Sequence, residues 1–360
     1  MMPSIEIAGI AVLRLAVPLR TPYRLAFGPL REFDTVLVVA TGDDGRTGIG
    51  EATLLPGYSD ETVEQSWQQS CAIAARFPGR AAGECLALAR ELAPQAPFTA
   101  TALATSIEML QAHPRLQLRQ PARVPLLGLV NGEASSELAE EIDALLAQGF
   151  RTLKVKVGFD ASQDAKKVAT IQRVVDGRAL IRLDANQGYD VASACAFAAS
   201  LQPQGIELFE QPCRAGDWAA AQAVARASAV PMMLDESIFD VDDIERAAQL
   251  KAARFIKLKL MKLGSLDALA RALARIRELG MEPVLGNGVA CEIGCWMEAC
   301  VARELIANAG EMNGFLKPVT RLLANPLPFD DGAIVLPAGY WPALDPAALD
   351  RCTVESANFD

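Results

Sequence analysis

Five stretches decide the fold: TLKVKV (152–157), LIRLDAN (180–186), IELFEQP (206–212), PMMLDES (231–237) and FIKLKLMKLGS (255–265). Each combines apolar residues of strand length with charged or amide side chains toward its C-terminal end. Longer stretches rich in Ala, Leu and Arg separate them and read as helices. Working outward, further candidate strands are Val124 to Leu129, Glu282 to Leu285 and a weaker one before Glu311. Continuous apolar strands alternating with helices indicate a parallel sheet covered on both faces. Eight such units point to a barrel of alternating strands and helices; an open doubly wound sheet is the alternative.

The polar ends keep one register. From Lys156 to Asp184, Glu210, Asp235, Lys259, Asn287 and Glu311 the steps are 28, 26, 25, 24, 28 and 24 residues, one strand–helix unit each time. Charges scattered over helix surfaces would not recur at the same end of strand after strand. In a barrel they rise together at the C-terminal mouth, where such barrels carry their chemistry.

Asp184, Glu210 and Asp235 are acids on three successive strands. Alone they would repel one another, and a divalent cation resolves this. An all-oxygen ligand set selects Mg²⁺, with Mn²⁺ as a substitute. Asn186 points the same way on an extended chain and is a candidate to bind substrate. Lys156 and Lys259 fall on strands at opposite sides of a closed barrel. Lys154 shares the face of Lys156, and its charge is expected to lower the proton affinity of that neighbour; Lys257 is placed similarly beside Lys259. Lys257 and Lys262 otherwise read as solvated or paired charges. A hard cation between two lysines suits removal of a proton α to a carboxylate, with the enediolate charge neutralised as it develops.

Composition narrows the rest. The chain has 360 residues, of which 51% are hydrophobic and 22% charged, so it can bury a substantial core. Its net charge of -10 is a poor match for nucleic acid or an anionic membrane. One histidine, His113, leaves no His-based zinc site and no Ser–His–Asp triad, and it reads as a structural residue at a helix end. Eight cysteines form no CxxC pair and read as reduced thiols. No strand is followed by GxGxxG, which argues against a dinucleotide enzyme. No secretory or membrane-spanning segment is evident, and a cytoplasmic location is expected. Ahead of the barrel, Val36–Ala40 and Thr47–Ala52 read as a hairpin turning at Asp43-Asp44-Gly45. Helices are expected from Ser59, as N-cap, to Gln111.

The ordered set KVK, DAN, FEQP, LDES and IKLKLMKLGS resembles the enolase superfamily, and within it the muconate-lactonizing-enzyme subgroup. The resemblance runs through essentially the whole chain. It implies an α/β architecture: a modified TIM-type (β/α)7β barrel over residues 119–320, an N-terminal α+β capping domain over 1–118, and a segment, 321–360, that returns to the cap. It implies acid/base roles for Lys156 and Lys259, with Lys154 beside them, and Mg²⁺ ligands at Asp184, Glu210 and Asp235. Ser265 stands where the family pattern has a glycine. Substrate contacts are implied from Asn186, Asn287, Glu311 and Asn313, and from two cap loops carrying Arg24 and Tyr58. Arg24 could hold a second carboxylate. A small carboxylate substrate and a homo-oligomer are implied as partners.

Absences narrow the activity. Mandelate-racemase-like members use a late histidine, and none follows His113. Dipeptide epimerases carry Asp-x-Asp near the eighth strand; GEMNG, with Glu311 and Asn313, stands there instead and counts against dipeptide epimerisation. The expected function is a Mg²⁺-dependent isomerase, a racemase, epimerase or cycloisomerase. The alternatives are a syn β-elimination lyase of the o-succinylbenzoate synthase type and an idle barrel that binds a carboxylate.

Overall fold

A computed structural model of the chain describes residues 5–25, 28–55, 60–132 and 135–360. The N-terminal region builds three long antiparallel strands, β1 (Ile7–Leu25), β2 (Gly28–Gly42) and β3 (Thr47–Leu54). The β2–β3 turn falls where the Asp-Asp-Gly signal put it, with Asp44 accepting from the Arg46 amide at 3.0 Å. Apolar alternation gives this sheet two working faces. Val36, Val38 and Ala40 pack onto the helices of the same region. Phe33 and Leu37 join the core built around the second sheet.

Those helices are α1 (Val63–Ala74), α2 (Ala82–Arg90) and α3 (Pro97–Leu110). The expected serine N-cap, Ser59, lies outside the described residues. Thr62 caps α1, in a reciprocal box with Gln65. Pro97 opens α3, and the Glu61 carboxylate accepts from the Phe98 and Thr99 amides there at 2.8 and 3.0 Å. Helix α3 lies directly on β3, because a Cβ at Gly50 would stand 2.0 Å from the Ala102 carbonyl oxygen.

The stretch expected as one strand over Val124–Leu129 is divided. Strand β4 (Ala122–Pro125) leaves for a small peripheral sheet, and β5 (Gly128–Val130) begins the large one. Prolines at 121 and 125 interrupt a continuous run. After β5 come α4 (Ser135–Ala147), β6 (Thr152–Lys156), α5 (Ala161–Val175), β7 (Leu180–Asp184) and α6 (Val191–Ser200). Next are β8 (Ile206–Glu210), α7 (Trp218–Ala227), β9 (Met232–Leu234), α8 (Val241–Leu250) and β10 (Phe255–Leu258). The short α9 (Leu260–Leu263), α10 (Leu266–Glu278), β11 (Glu282–Leu285) and α11 (Glu292–Leu305) complete the series. The seven strands are parallel, in the order β11-β10-β9-β8-β7-β6-β5. Asp160, Asp190, Asp217 and Asp240 cap the helices that follow β6, β7, β8 and β9, each accepting from the amide three residues on.

No eighth strand forms before Glu311. Instead residues 310–311 bridge the two edges of the curled sheet: the Glu311 amide donates to Leu285, and the Leu127 amide donates to the Gly310 carbonyl, both at 3.0 Å. Backbone crowding at this junction excludes a side chain from Gly286 (φ +127°), whose Cβ would meet Glu311 at 2.7 Å. Inside the curl, Leu208, Met233 and Val284 form a small apolar plug with Phe255. Beside it the buried Arg182 donates to Glu207 at 2.6 Å and to the Ala309 carbonyl at 2.9 Å.

The C-terminal segment serves two places. Strand β13 (Ala333–Leu336) pairs with β4 on one side and with β12 (Phe329–Asp330) on the other, and after α12 (Pro346–Cys352) strand β14 (Thr353–Phe359) pairs antiparallel with β1. His113 joins the two main regions structurally, with Nε2 3.0 Å from Asp267 Oδ1. Among the described residues no helix is long and apolar enough to cross a membrane.

Buried glutamates clip these parts together. Glu108 of α3 accepts from the Leu266 amide at 2.9 Å, and Glu292 accepts from Leu322, Leu323 and Leu327. Glu51 of β3 accepts from the Cys291 and Ile293 amides at the start of α11, at 2.6 and 3.1 Å. Burial pushes the Glu51 carboxyl up to about 7, although those amides pull it down. A folded-state value above the unfolded one means that the native state holds the extra proton. The linked stability is present below about pH 4.5 and is lost as pH rises through about 7. We predict that the stability advantage of wild type over Glu51→Gln in urea unfolding shrinks by up to about 3 kcal/mol between pH 4.5 and pH 8. A constant difference across that range would refute it.

Candidate active site

The alternation of each strand sends every second side chain into the curl. On β6 these are Lys154 and, one layer higher, Lys156. Arg182 and then Asp184 follow on β7, and Leu208 and then Glu210 on β8. Asp235 stands just past β9, and Lys257 and Lys259 stand on and just past β10. The three carboxylates therefore form a row along adjacent strands, with a lysine-bearing strand at each end.

Lysines at two depths neutralise the row. Lys154 Nζ lies 2.8 Å from Asp184, 3.0 Å from Glu210 and 2.9 Å from Glu311. Lys257 Nζ lies 3.0 Å from Glu210 and 3.3 Å from Asp235, and also contacts Glu311. Both ammoniums are buried beneath the row. At the upper level Lys156 Nζ is 2.6 Å from Asp184 and Lys259 Nζ is 2.8 Å from Asp235. The Lys156 side chain is 35% exposed against 2% for Lys154, so only the second lysine of the pair meets the mouth.

The electrostatics follow from these contacts. Burial works to strip the proton from Lys154, but Asp184, Glu210 and Glu311 outweigh it and hold its affinity well above the lysine range. Lys257 is held up in the same way, chiefly by Glu210 and Glu311 against its burial. Burial tends to raise Asp184, yet Lys154, Lys156 and Lys257 keep it well below the carboxylate range. Burial and then Asp184 push Glu210 up to about 7. Lys259 is driven well below the usual lysine value by burial and by Lys262. The charge that presses on Lys259 is thus Lys262, not the expected Lys257, which sits a layer deeper and is absorbed by carboxylates. Lys154 likewise spends its charge on three carboxylates.

The remaining expected residues are placed as follows. Asn186 Oδ1 accepts from the Lys156 ammonium, while its Nδ2 donates to Glu236 at 2.9 Å. Glu311 lies under the row, paired with the two deep lysines. Asn287 spends its amide on its own turn, donating to Val289 O at 2.6 Å and accepting from Val289 N at 2.8 Å. Asn313 donates to Leu127 O at 3.2 Å, and its buried Oδ1 has no hydrogen-bond donor among the described residues. The side chain of Arg24 and the whole of Tyr58 lie outside the described residues.

Sequence reasoning missed four buried supports. Gln211, at φ +37°, accepts from the Asp235 and Ser237 amides, both at 3.1 Å, and so shapes the Asp235 turn. Lys262 donates to the carbonyls of Asp235 and Ile238, both at 2.9 Å, in the same turn. Glu236 and Glu298 flank the site and are both pushed up to about 8, chiefly by burial. Adjacency to Asp235 in DES could have flagged Glu236; nothing local marks Glu298.

A hard divalent cation fits this row. All donors are carboxylate oxygens, and among the described residues Glu210 Oε2 has no hydrogen-bond donor and has the Lys154 ammonium as an ion-pair neighbour. A second cluster, Glu108, His113 and Asp267, brings ligand atoms together at the seam between the cap helices and α10. Arg90 already fills it, with Nη2 2.8 Å from Glu108 and 3.1 Å from Asp267.

Comparison with known proteins agrees with this geometry. Residues 137–340 match the family model described as enolase C-terminal domain-like, of the mandelate racemase and muconate lactonizing type. The chain is 33% identical over 291 residues to the L-Lys-D/L-Arg epimerase of Methylococcus capsulatus, covering 76% of this chain and 80% of that protein. It is 31% identical over 333 residues to an aromatic dipeptide epimerase of Herpetosiphon aurantiacus, covering 87% and 88%. Among solved structures, a dipeptide epimerase from Cytophaga hutchinsonii complexed with Mg and D-Ala-L-Val superposes with a TM-score of 0.88 at 19% identity, covering 99% and 100%. A parallel curled sheet under an antiparallel cap, the row of carboxylates between two lysine strands and these likenesses lead to one conclusion: the chain belongs to the enolase superfamily, as an isomerase of its muconate-lactonizing and mandelate-racemase-like branch.

Proposed function

We propose that the chain is a Mg²⁺-dependent epimerase or racemase that inverts the carbon α to a carboxylate, in a dipeptide or a related N-acylated amino acid. The observation that carries the reading is the placement of Lys156 and Lys259 at the two ends of the carboxylate row. One lysine takes the α-proton from one face and the other returns a proton to the opposite face. Asp184, Glu210 and Asp235 hold the cation. Bound there, Mg²⁺ or Mn²⁺ supplies positive charge to the developing enediolate oxygens. Lys154 and Lys257 keep the row assembled from below. The fold reading is a closed (β/α)7β barrel over 119–320, supported by the hydrogen bonds of residues 310–311 to both sheet edges, with a cap over 1–118 and a returning segment over 321–360.

The relatives' names support a dipeptide despite the missing Asp-x-Asp. Glu311 is committed to Lys154 and Lys257, so its charge is not available to an ammonium. Asn313 Oδ1, which has no donor among the described residues, fits a neutral N–H of an acylated or peptide nitrogen.

The test is ¹H NMR in D₂O with Mg²⁺ over dipeptides and N-acylated amino acids. Deuterium should enter the α-carbon as both configurations form, and chelation should stop it. Conversion without α-deuterium, or loss of a β-substituent, would refute the reading. We predict that Lys156→Ala lowers interconversion by about 10³-fold or more while leaving the fold intact, with α-exchange surviving from one epimer only. Near-wild-type turnover would exclude Lys156 as a base. Lys154→Met removes one of the two deep ammoniums shared by Asp184, Glu210 and Glu311 and should cost about 3–5 kcal/mol in urea unfolding without metal. A loss below about 1 kcal/mol would contradict the role given to the deep lysines.

A further inference from the structure

Two buried glutamates stand behind the two lysines, and neither is used by the mechanism above. Glu236 follows Asp235 in the chain, and its Oε1 accepts from Asn186 Nδ2 at 2.9 Å. An asparagine amide can face a neighbour with its oxygen or its nitrogen, and Glu236 as acceptor fixes the choice. The oxygen is thereby left to receive the Lys156 ammonium, which it does. Without Glu236 the amide is free to turn its N–H₂ toward that ammonium, a donor against a donor.

Glu298 belongs to α11, on another element altogether. Its Oε1 accepts from the Leu260 amide at 2.8 Å. That amide is the first of the short helix α9, whose N-cap is Lys259 with an extended backbone (φ -135°) and no side-chain cap of its own. Glu298 supplies the missing acceptor from outside and so fixes the backbone from which Lys259 projects.

The two groups share an unusual feature. Oε2 of Glu236 and Oε2 of Glu298 are both buried with no hydrogen-bond donor among the described residues. Unsatisfied buried oxygens cost stability, and their presence behind both bases points to function rather than folding. We propose that Glu236 and Glu298 are paired positioning residues, Glu236 aiming Lys156 through Asn186 and Glu298 aiming Lys259 through the Leu260 amide. The inference rests on the two-lysine reading and adds that each face of the reaction has its own support.

The experiment compares Glu236→Leu and Glu298→Leu with Lys156→Ala and Lys259→Ala, the alanine variants defining which epimer each lysine serves. The probes are L-Lys-L-Arg and L-Lys-D-Arg with Mg²⁺ in D₂O, and α-deuteration is timed from each epimer separately. Glu236→Leu should slow exchange from the Lys156 epimer by about 10–100-fold and from the other by less than about twofold; Glu298→Leu should do the reverse. Glu236→Gln and Glu298→Gln keep an acceptor oxygen and should restore the balance between faces. Equal slowing from both epimers, or none, overturns the proposal.

A second readout needs no substrate. Competitive acetylation by acetic anhydride, read by mass spectrometry against exposed Lys166 and Lys251, should change by about tenfold at Lys156 alone in Glu236→Leu and at Lys259 alone in Glu298→Leu. Wild type that exchanges neither epimer refutes this dipeptide as substrate, and acetylation then decides the positioning roles. Labelling that is unchanged, or changed at both lysines in either variant, overturns them.

Discussion

The structure depends on two ammonium groups buried beneath a row of acids. Lys154 and Lys257 lie within 3.3 Å of Asp184, Glu210 and Asp235 between them, and both reach Glu311 on the segment that joins the sheet edges. Removing an ion from water costs several kcal/mol, and only close partners on every side repay it. Pairing therefore sets where the strand ends stand. It also ties residue 311 to the sheet whose edges it bridges.

The same interior separates lysines that look alike in sequence. Lys154 and Lys257 are fixed in the charged form by the acids around them. Lys259, one layer above Lys257, loses proton affinity to burial and to Lys262. Depth thus separates the lysines: the lower pair balances charge, and of the upper pair Lys156 is partly exposed while Lys259 stays buried beside Asp235. A base must be able to give up its proton near the working pH, which the lower pair cannot do.

Backbone clips carry this order outward. Glu51, Glu108 and Glu298 each reach from one element to the first amides of another, so the cap strand β3, helix α3 and helix α11 are registered against the turns of the parallel sheet. Each uses the same physics, a carboxyl oxygen accepting from helix N–H groups that have no intrahelical partner. The cap sheet adds apolar surface to the common core through Phe33 and Leu37.

The sequence by itself determined the repeating strand–helix unit and the face on which KVK, DAN, FEQP and DES project, and it made an oxygen-ligated cation between lysines the chemistry to expect. These are local properties: side-chain period, step length and ligand type need no knowledge of distant residues. Tertiary structure alone decided the rest. It split Val124–Leu129 between two sheets, replaced an eighth strand by a two-residue bridge, and spent Glu311 and Asn287 on internal partners. It also brought Glu298 to Leu260 across 38 residues and made Lys262 the neighbour that presses on Lys259. Such outcomes depend on which buried groups meet, and burial is a property of the folded chain, not of spacing along it.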